Sequence, residues 1–525
     1  MSAPVSAFRH TWRSLSQELI ASMVILWLAA LCVIPIPLWK NALLFLRWGS
    51  VGALLLVWLT VQPAPLFARR HRPVLWFVAL TFLSVLLARE PGLAWSGQLA
   101  GRQREWIGGY RDIVLMGAAW CVIATQAFQR PALQQRLSRW MLCSVILVVI
   151  IGYLEIIAHR NILYECWVPN QAYQRFLHQR RMMSTQLHPV ILGALLAVCV
   201  PLALHHAATA SRRGARWAGL GVTFLLIGAA IQTFTRGSLL AVLLGSGAYL
   251  LLMKRRAWLR TALIVVIAIV LGASFLGLWT RATERGRVGA SRYSVEALHD
   301  IARGRTAGWR WENAALALDL VREQPFFGIG INHYRHLFSQ HRPDTHLPWE
   351  LHVTDNVYLK ILTETGLVGA LGFMWLLWGG IRSWLAGVMA APTVQDRSHV
   401  AAIGAGWLGL LTSMVTYDGL WWLLPLAIFW IWLGILHAQP MSAAVAAGDV
   451  PAPRRATRRG GKKTRSRPGR RRFASRWTVV GELFQFLWQQ RLWWMIPMAA
   501  VLLLFGALLL LAQSSPIAPF IYTLF

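Results

Sequence analysis

About thirteen apolar runs, each near the length of about 20 residues that crosses hydrocarbon as a helix, leave this chain few ways to fold. They lie around 18–39, 42–62, 73–88, 113–128, 140–158, 188–205, 216–234, 237–253, 262–280, 356–378, 399–417, 419–437 and 493–513. With 56% apolar residues, 14% charged residues and 29 Trp, the chain has too little polar surface for a water-soluble fold, and the bilayer replaces a single large core. The expected fold is therefore an all-α polytopic membrane protein of about 12–13 transmembrane helices. The first run lacks a small-residue cleavage site and is followed by further spans, so it reads as a retained helix.

Basic residues mark every second short connection: Arg9/Arg13, Arg69/Arg70/Arg72, Arg130/Arg136/Arg139, Arg212/Arg213/Arg216, Lys254/Arg255/Arg256/Arg260 and Arg382/Arg397. The positive-inside rule makes those connections cytoplasmic. Residues 159–187, the turn at Arg236 and the long polar segment 281–353 then face outward. The ten Arg of that segment do not reverse this, because loops above about 60 residues translocate largely regardless of charge.

The formal net charge of +32 owes much to residues 454–476, where twelve Lys and Arg stand with no acid. Such a segment is too hydrophilic to fold alone. It reads as a cytoplasmic linker lying on anionic membrane lipid rather than as a nucleic-acid site. The chain divides accordingly into N-terminal transmembrane helices at 1–187, a core at 188–440 that includes the 281–353 loop, a basic linker at 441–480 and a C-terminal helix at 481–525. Five cysteines with no CxxC pair and no Cys/His cluster indicate neither a zinc site nor a disulfide framework. No metal or other cofactor is expected.

Chemistry concentrates where the long loop meets the next span, TDNVYLKILTETGLVG from Thr354 to Gly369. Asp355 and Asn356 head an apolar helix there, and Asp355 can serve as an N-cap or as a proton-accepting base. His352, three residues upstream, is a second candidate base. Lys360 lies four residues before Glu364 on one helical face, which predicts an ion pair between them. Arg236 sits in FTRGS, a turn held tightly between two spans, where a guanidinium can grip a phosphate through two parallel hydrogen bonds. Arg180, Arg181 and His188 approach the entrance of the span after 159–187. Within GRTAGWRWENAALALDLVREQP, Trp311, Ala314, Leu318 and Val321 form an apolar stripe and Pro325 ends the helix. Gly328 and Gly330 of FFGIGINHY read as a backbone turn rather than a phosphate cradle.

The order TRGS, GRTAGW, PFFGIGINHY, DNVYLKILTETGLVG resembles the O-antigen ligase and O-antigen polymerase family, bacterial envelope glycosyltransferases, over roughly residues 188–378. Asn356, Glu364, Gly366 and Gly369 carry its most specific motif. The resemblance implies a GT-C-like enzyme of the bacterial inner membrane that moves a glycan from undecaprenyl diphosphate to a glycan or lipid-linked acceptor at the periplasmic face. By position it implies that Arg236 and Arg305 hold the diphosphate; Arg181, from its place at an outward-facing span entrance, can pair with a phosphate as well. Ligases of the family usually carry His where this chain has Asp355, and the Asp-Asn pair looks more like the polymerases. A lipid diphosphate leaves as a stabilised anion, so two arginines and one base suffice for an inverting transfer without metal. A shape-determining peptidoglycan polymerase and a lipid-linked oligosaccharide flippase are the alternatives. The first is not expected to show the DNVYL and GLVG junction, and the second calls for polar groups along its spans.

Overall fold

The computed structural model describes residues 3–34, 71–88, 107–158, 160, 181–186, 188–253, 308–342 and 352–438. These all belong to one compact unit, 1–294 with 307–446, while a second unit, 295–306 with 447–525, lies outside the described residues. Also outside them are the apolar runs 42–62, 262–280 and 493–513, the basic linker 454–476 and Arg305.

The described residues form helices and no strand. In chain order they are α1 (Ala3–Val33), α2 (Arg72–Leu87), α3 (Ile107–Ala127, with a π-helical turn at Tyr110–Leu115), α4 (Pro131–Ala158), α5 (Pro189–Thr209), α6 (Arg213–Gln232) and α7 (Arg236–Met253). After the long loop begins come α8 (Gly308–Glu323), α9 (Tyr334–His341), α10 (Val357–Ala390), α11 (Val394–Ser413) and α12 (Leu423–Ala438). Six of these are long and apolar enough to cross a membrane: α3, α4, α5, α6, α7 and α10. The apolar stretches Gln17–Val33, Arg72–Leu87 and Leu423–Ala438 are shorter. The chain is thus an all-helical polytopic membrane protein.

Helix α5 is the hub. Pro189 opens it and the His188 ring nitrogen caps it, accepting the Val190 N–H at 3.3 Å. It packs on α4, α6, α7 and α11, and nearly every residue from Ile191 to His205 is buried. Lipid offers no hydrophobic drive between helices, so close approach of small residues does the work. A Cβ on Gly406 would stand 2.6 Å from the Val198 carbonyl oxygen, and one on Gly409 would stand 3.0 Å from that of Ala197. Backbones of α5 and α11 therefore touch along that seam.

The loop carries its own small core. Leu316, Ala317 and Leu320 of α8 meet Ile329, Tyr334, Leu337 and Phe338, with Leu359 of α10 against them. The buried face of α8 is thus Asn313, Leu316, Ala317 and Leu320 rather than the stripe expected from the sequence. Trp311 and Leu318 are exposed. Two apolar stripes run along this helix, and a buried asparagine settles which one turns inward. Asn313 Nδ2 donates to the Val353 carbonyl at 2.6 Å, and the Asn313 backbone carbonyl accepts the Tyr334 hydroxyl at 2.6 Å.

One break in α10 joins this small core to the membrane bundle. Gly366 adopts φ 64°, ψ −170°, a conformation closed to residues with a side chain. The helical bonds lost there are replaced across the PFFGIG segment. Ile329 and Gly330 N–H donate to the Thr363 and Glu364 carbonyls at 3.1 and 2.9 Å, while Leu367 and Val368 N–H donate to the Pro325 and Phe326 carbonyls at 2.8 and 3.1 Å. The segments lie so close that a Cβ on Gly328, itself at φ 69°, would meet the Gly366 nitrogen at 2.6 Å. Ser84 of α2 pins both strands of this joint, donating to the Phe327 and Thr365 carbonyls. Gly328 thus acts as a backbone turn, as expected.

Candidate functional site

The joint places the start of α10 at a mouth between the loop core and one end of the bundle. Asn356 caps the helix: its Oδ1 accepts the Tyr358 and Leu359 N–H groups at 2.9 and 3.1 Å. The Val357 N–H donates to the Met414 carbonyl at 3.0 Å, tying the same turn to the end of α11. The cap role read for Asp355 from the sequence therefore belongs to Asn356 instead.

Asp355 stands one residue before the cap at φ 49°, a left-handed conformation that Asp tolerates better than most residues. Its Oδ2 lies 3.2 Å from Arg310 Nε, an ion pair between loop helix and junction. Burial pushes this carboxyl up to about 6; Arg310 opposes the shift and Asp418 adds to it. A helix N-terminus would keep a carboxylate ionised at low pH, but here desolvation outweighs that attraction. The result is a carboxyl that titrates at about 6 rather than in the ordinary carboxylate range.

Lys360 does not pair with Glu364 as its spacing predicts. Its Nζ reaches Asp418 Oδ2 at 3.2 Å and lies 3.9 Å from the centre of the Trp421 ring. Both side chains of the pair are buried, and Asp418 Oδ1 accepts the Trp422 indole N–H at 3.2 Å. Glu364 instead holds the loop: its carboxylate accepts the Asn332 N–H at 2.8 Å and the Tyr334 N–H at 3.4 Å. A distant partner in low dielectric, fixed by packing, prevails over the intrahelical neighbour. Gly369 completes the motif by leaving room for the Thr365 side chain, whose hydroxyl bonds the Ile361 carbonyl at 2.7 Å.

His352 is buried against the Phe338 ring at 4.4 Å, with Nδ1 3.1 Å from Ser339 Oγ. It is built into the loop core. Arg181 and Arg236 flank one turn. Arg181 is buried and its Nε donates to the Thr233 carbonyl at 3.0 Å, while Arg236 opens α7, half-buried, three residues further on. Thr235 braces this turn through Thr233 and Ser238, at 2.6 and 2.5 Å. Gly237 packs directly on Thr416, so the arginine turn adjoins the segment that carries Asp418. Trp422 of that segment faces the His188 ring at 5.9 Å.

The sequence reading did not single out Asp418, Lys360 as its partner, or the Arg310–Asp355 pair. A signal for Asp418 existed: it is the one acid in the apolar stretch TYDGLWWLLPL. Among the described residues, no three His, Cys, Asp or Glu side chains converge as a metal site would require.

A multi-span helical membrane protein with a charged mouth under a separately cored loop is the class these observations define. Within it, residues 221–374 match the family model described as O-antigen ligase, the family that the motifs resemble. That stretch includes Arg236, Arg310, His352, Asp355, Asn356, Glu364, Gly366 and Gly369. Residues 477–525 match a model described as a family of unknown function (DUF5989). No curated protein matches the chain.

Proposed function

We propose that the chain is a glycosyltransferase of the bacterial inner membrane that transfers or polymerises undecaprenyl-diphosphate-linked glycan at the periplasmic face. The observation that carries the reading is the Asp355 carboxyl at the loop–bundle mouth, raised toward neutrality and ion-paired to Arg310, inside the stretch that matches O-antigen ligases. Asp355 takes the proton of the acceptor hydroxyl, and the freed oxygen attacks the anomeric carbon opposite the diphosphate, inverting it. Arg236, with Arg305 and Arg181, meets the charge that gathers on the leaving diphosphate. No step calls for a metal. Asp355 in place of the ligases' His favours polymerisation over transfer to a lipid-linked acceptor. His352, stacked in the loop core, orients the segment that presents Asp355.

The test is the surface polysaccharide of a strain lacking the chain. Loss of chain length identifies a polymerase, and full-length glycan retained on its lipid carrier identifies a ligase. Unaltered glycans overturn the reading. The periplasmic face is tested separately by a reporter inserted within 281–353, which must be exposed outside the inner membrane.

A further inference from the structure

Four charged side chains gather at the mouth, and they differ in freedom. Those of Lys360 and Asp418 are 6% and 9% exposed, and Asp418 already receives both Lys360 and the Trp422 N–H. The Asp355 side chain is 18% exposed, while that of Arg310 is 50% exposed. Arg310 therefore combines solvent access with a direct hold on Asp355. It lies in the first turn of α8, five residues after Arg305 of GRTAGW.

We propose that Arg310 exchanges partners during the reaction, leaving the Asp355 carboxylate for the diphosphate of an incoming polyprenyl-diphosphate sugar. This rests on the reading of Asp355 as the base. An ion pair with a half-exposed member is weak and readily given up. A diphosphate offers the guanidinium more charge than one carboxylate and accepts it through two parallel bonds. Asp418 is already met by Lys360 and by the Trp422 N–H, so its charge is compensated and it competes less for Arg310 than a diphosphate does. Once Arg310 leaves, Asp355 faces Asp418 of the segment after α11 and Lys360 of α10 without its nearest cation, and its proton affinity rises.

One movement thus strengthens the base and delivers a cation to the leaving group. The acceptor O–H proton passes to Asp355, the acceptor oxygen bonds the anomeric carbon, and the bond from that carbon to the diphosphate oxygen breaks. Its electron pair remains on the diphosphate, opposite Arg310. The products are the extended glycan, the free polyprenyl diphosphate and a protonated Asp355, which returns its proton to solvent as Arg310 comes back.

The experiment measures initial rates for the full-length protein in lipid nanodiscs, with a polyprenyl-diphosphate oligosaccharide as donor, from about pH 4.5 to 8. The acid limb of kcat/KM reports the free enzyme and that of kcat the donor complex. Exchange predicts that Arg310→Gln raises donor KM about tenfold or more and moves the kcat/KM limb up by about one pH unit, leaving the kcat limb in place. Arg310→Lys, which keeps the charge, raises KM while moving the kcat/KM limb less. It also serves if the Gln variant is poorly produced. Both limbs moving together in Arg310→Gln would mean that Arg310 stays on Asp355 throughout, and neither limb moving would mean that it does not govern the base; either result overturns the exchange. A fully active Asp355→Asn variant instead removes the base itself, a failure of the underlying reading that the Arg310 variants do not mimic.

Discussion

At the end of the bundle opposite Asp355, polar side chains meet as hydroxyls and imidazoles. Ser138 pairs with His399 at 2.8 Å, His205 with Ser398 at 2.8 Å, and Tyr249 with the same Ser398 at 2.8 Å, linking α4, α5, α7 and α11. At the Asp355 end the groups are formal charges, and one of them, Arg310, is half exposed. The first arrangement distributes hydrogen bonds among buried partners and ties four helices together. The second keeps charge near solvent, at a greater desolvation cost, which a purely structural contact does not require. On the proposed function, the contrast separates polarity that holds the bundle from polarity that acts on a substrate.

The largest expected effect breaks the acting end alone. Asp355→Asn should lower glycan transfer by about 10²–10⁴-fold, the range for removing a general base, while the protein still folds because Asn356 is the cap. Transfer rates alongside thermal unfolding in detergent check this, and full activity in the Asn variant would reduce Asp355 to a structural residue. Lys360→Met should come next, since it leaves Asp418 buried without its cation. Breaking such a pair costs about 3–5 kcal/mol, and removing both charges in Lys360→Met/Asp418→Leu should recover part of it in the same melting assay.

At the far end, His399→Ala leaves the Ser138 hydroxyl without that partner, at a cost of about 1–3 kcal/mol. Specific activity of the surviving protein should be unchanged, and a fall in it would erase the distinction between the two ends. Asn356→Ala should cost about 0.5–2 kcal/mol, whereas Asn356→Asp should cost little, since both side chains cap well.

A further effect is set by pH. The Asp355 carboxyl, raised to about 6 in the fold from an ordinary value of 3.8, is ionised above that point and protonated below it. The kcat/KM for transfer, which reports the free enzyme, should therefore decline as pH falls through about 6. The stability linkage has the opposite sense. A raised carboxyl favours the folded protein where it is protonated, so its contribution is full below about pH 4 and is lost as pH rises through 6. Melting temperature against pH, for wild type and Asp355→Asn, isolates this term as the difference between two curves.

Much was legible from local pattern. Apolar runs located the described spans to within a few residues at most ends, because crossing hydrocarbon as a helix imposes a length that composition alone reveals. TRGS as a tight turn, Gly328 as backbone geometry and the head of α10 as a capped helix start also followed from residue types whose conformational preferences are local. The break at Gly366 was marked only as a motif glycine. Its cause lies some forty residues earlier, in the backbone of Pro325 to Gly330.

Tertiary structure alone decided the rest. Two stripes of α8 carry apolar residues, and the one that turned inward holds Asn313, whose side-chain amide finds the Val353 carbonyl. The i,i+4 rule paired Lys360 with Glu364, yet each turned to a partner outside its helix: Asp418 in one case, the N–H groups of Asn332 and Tyr334 in the other. That pairing rule describes exposed helices, where water screens all competitors alike. In a buried mouth the nearest groups across the fold prevail, because desolvated charges must be met by whatever the packing brings within reach. Sequence by itself determined that the chain spans a membrane and where its polar junction lies; which charges face one another across that junction was settled only when distant segments closed around it.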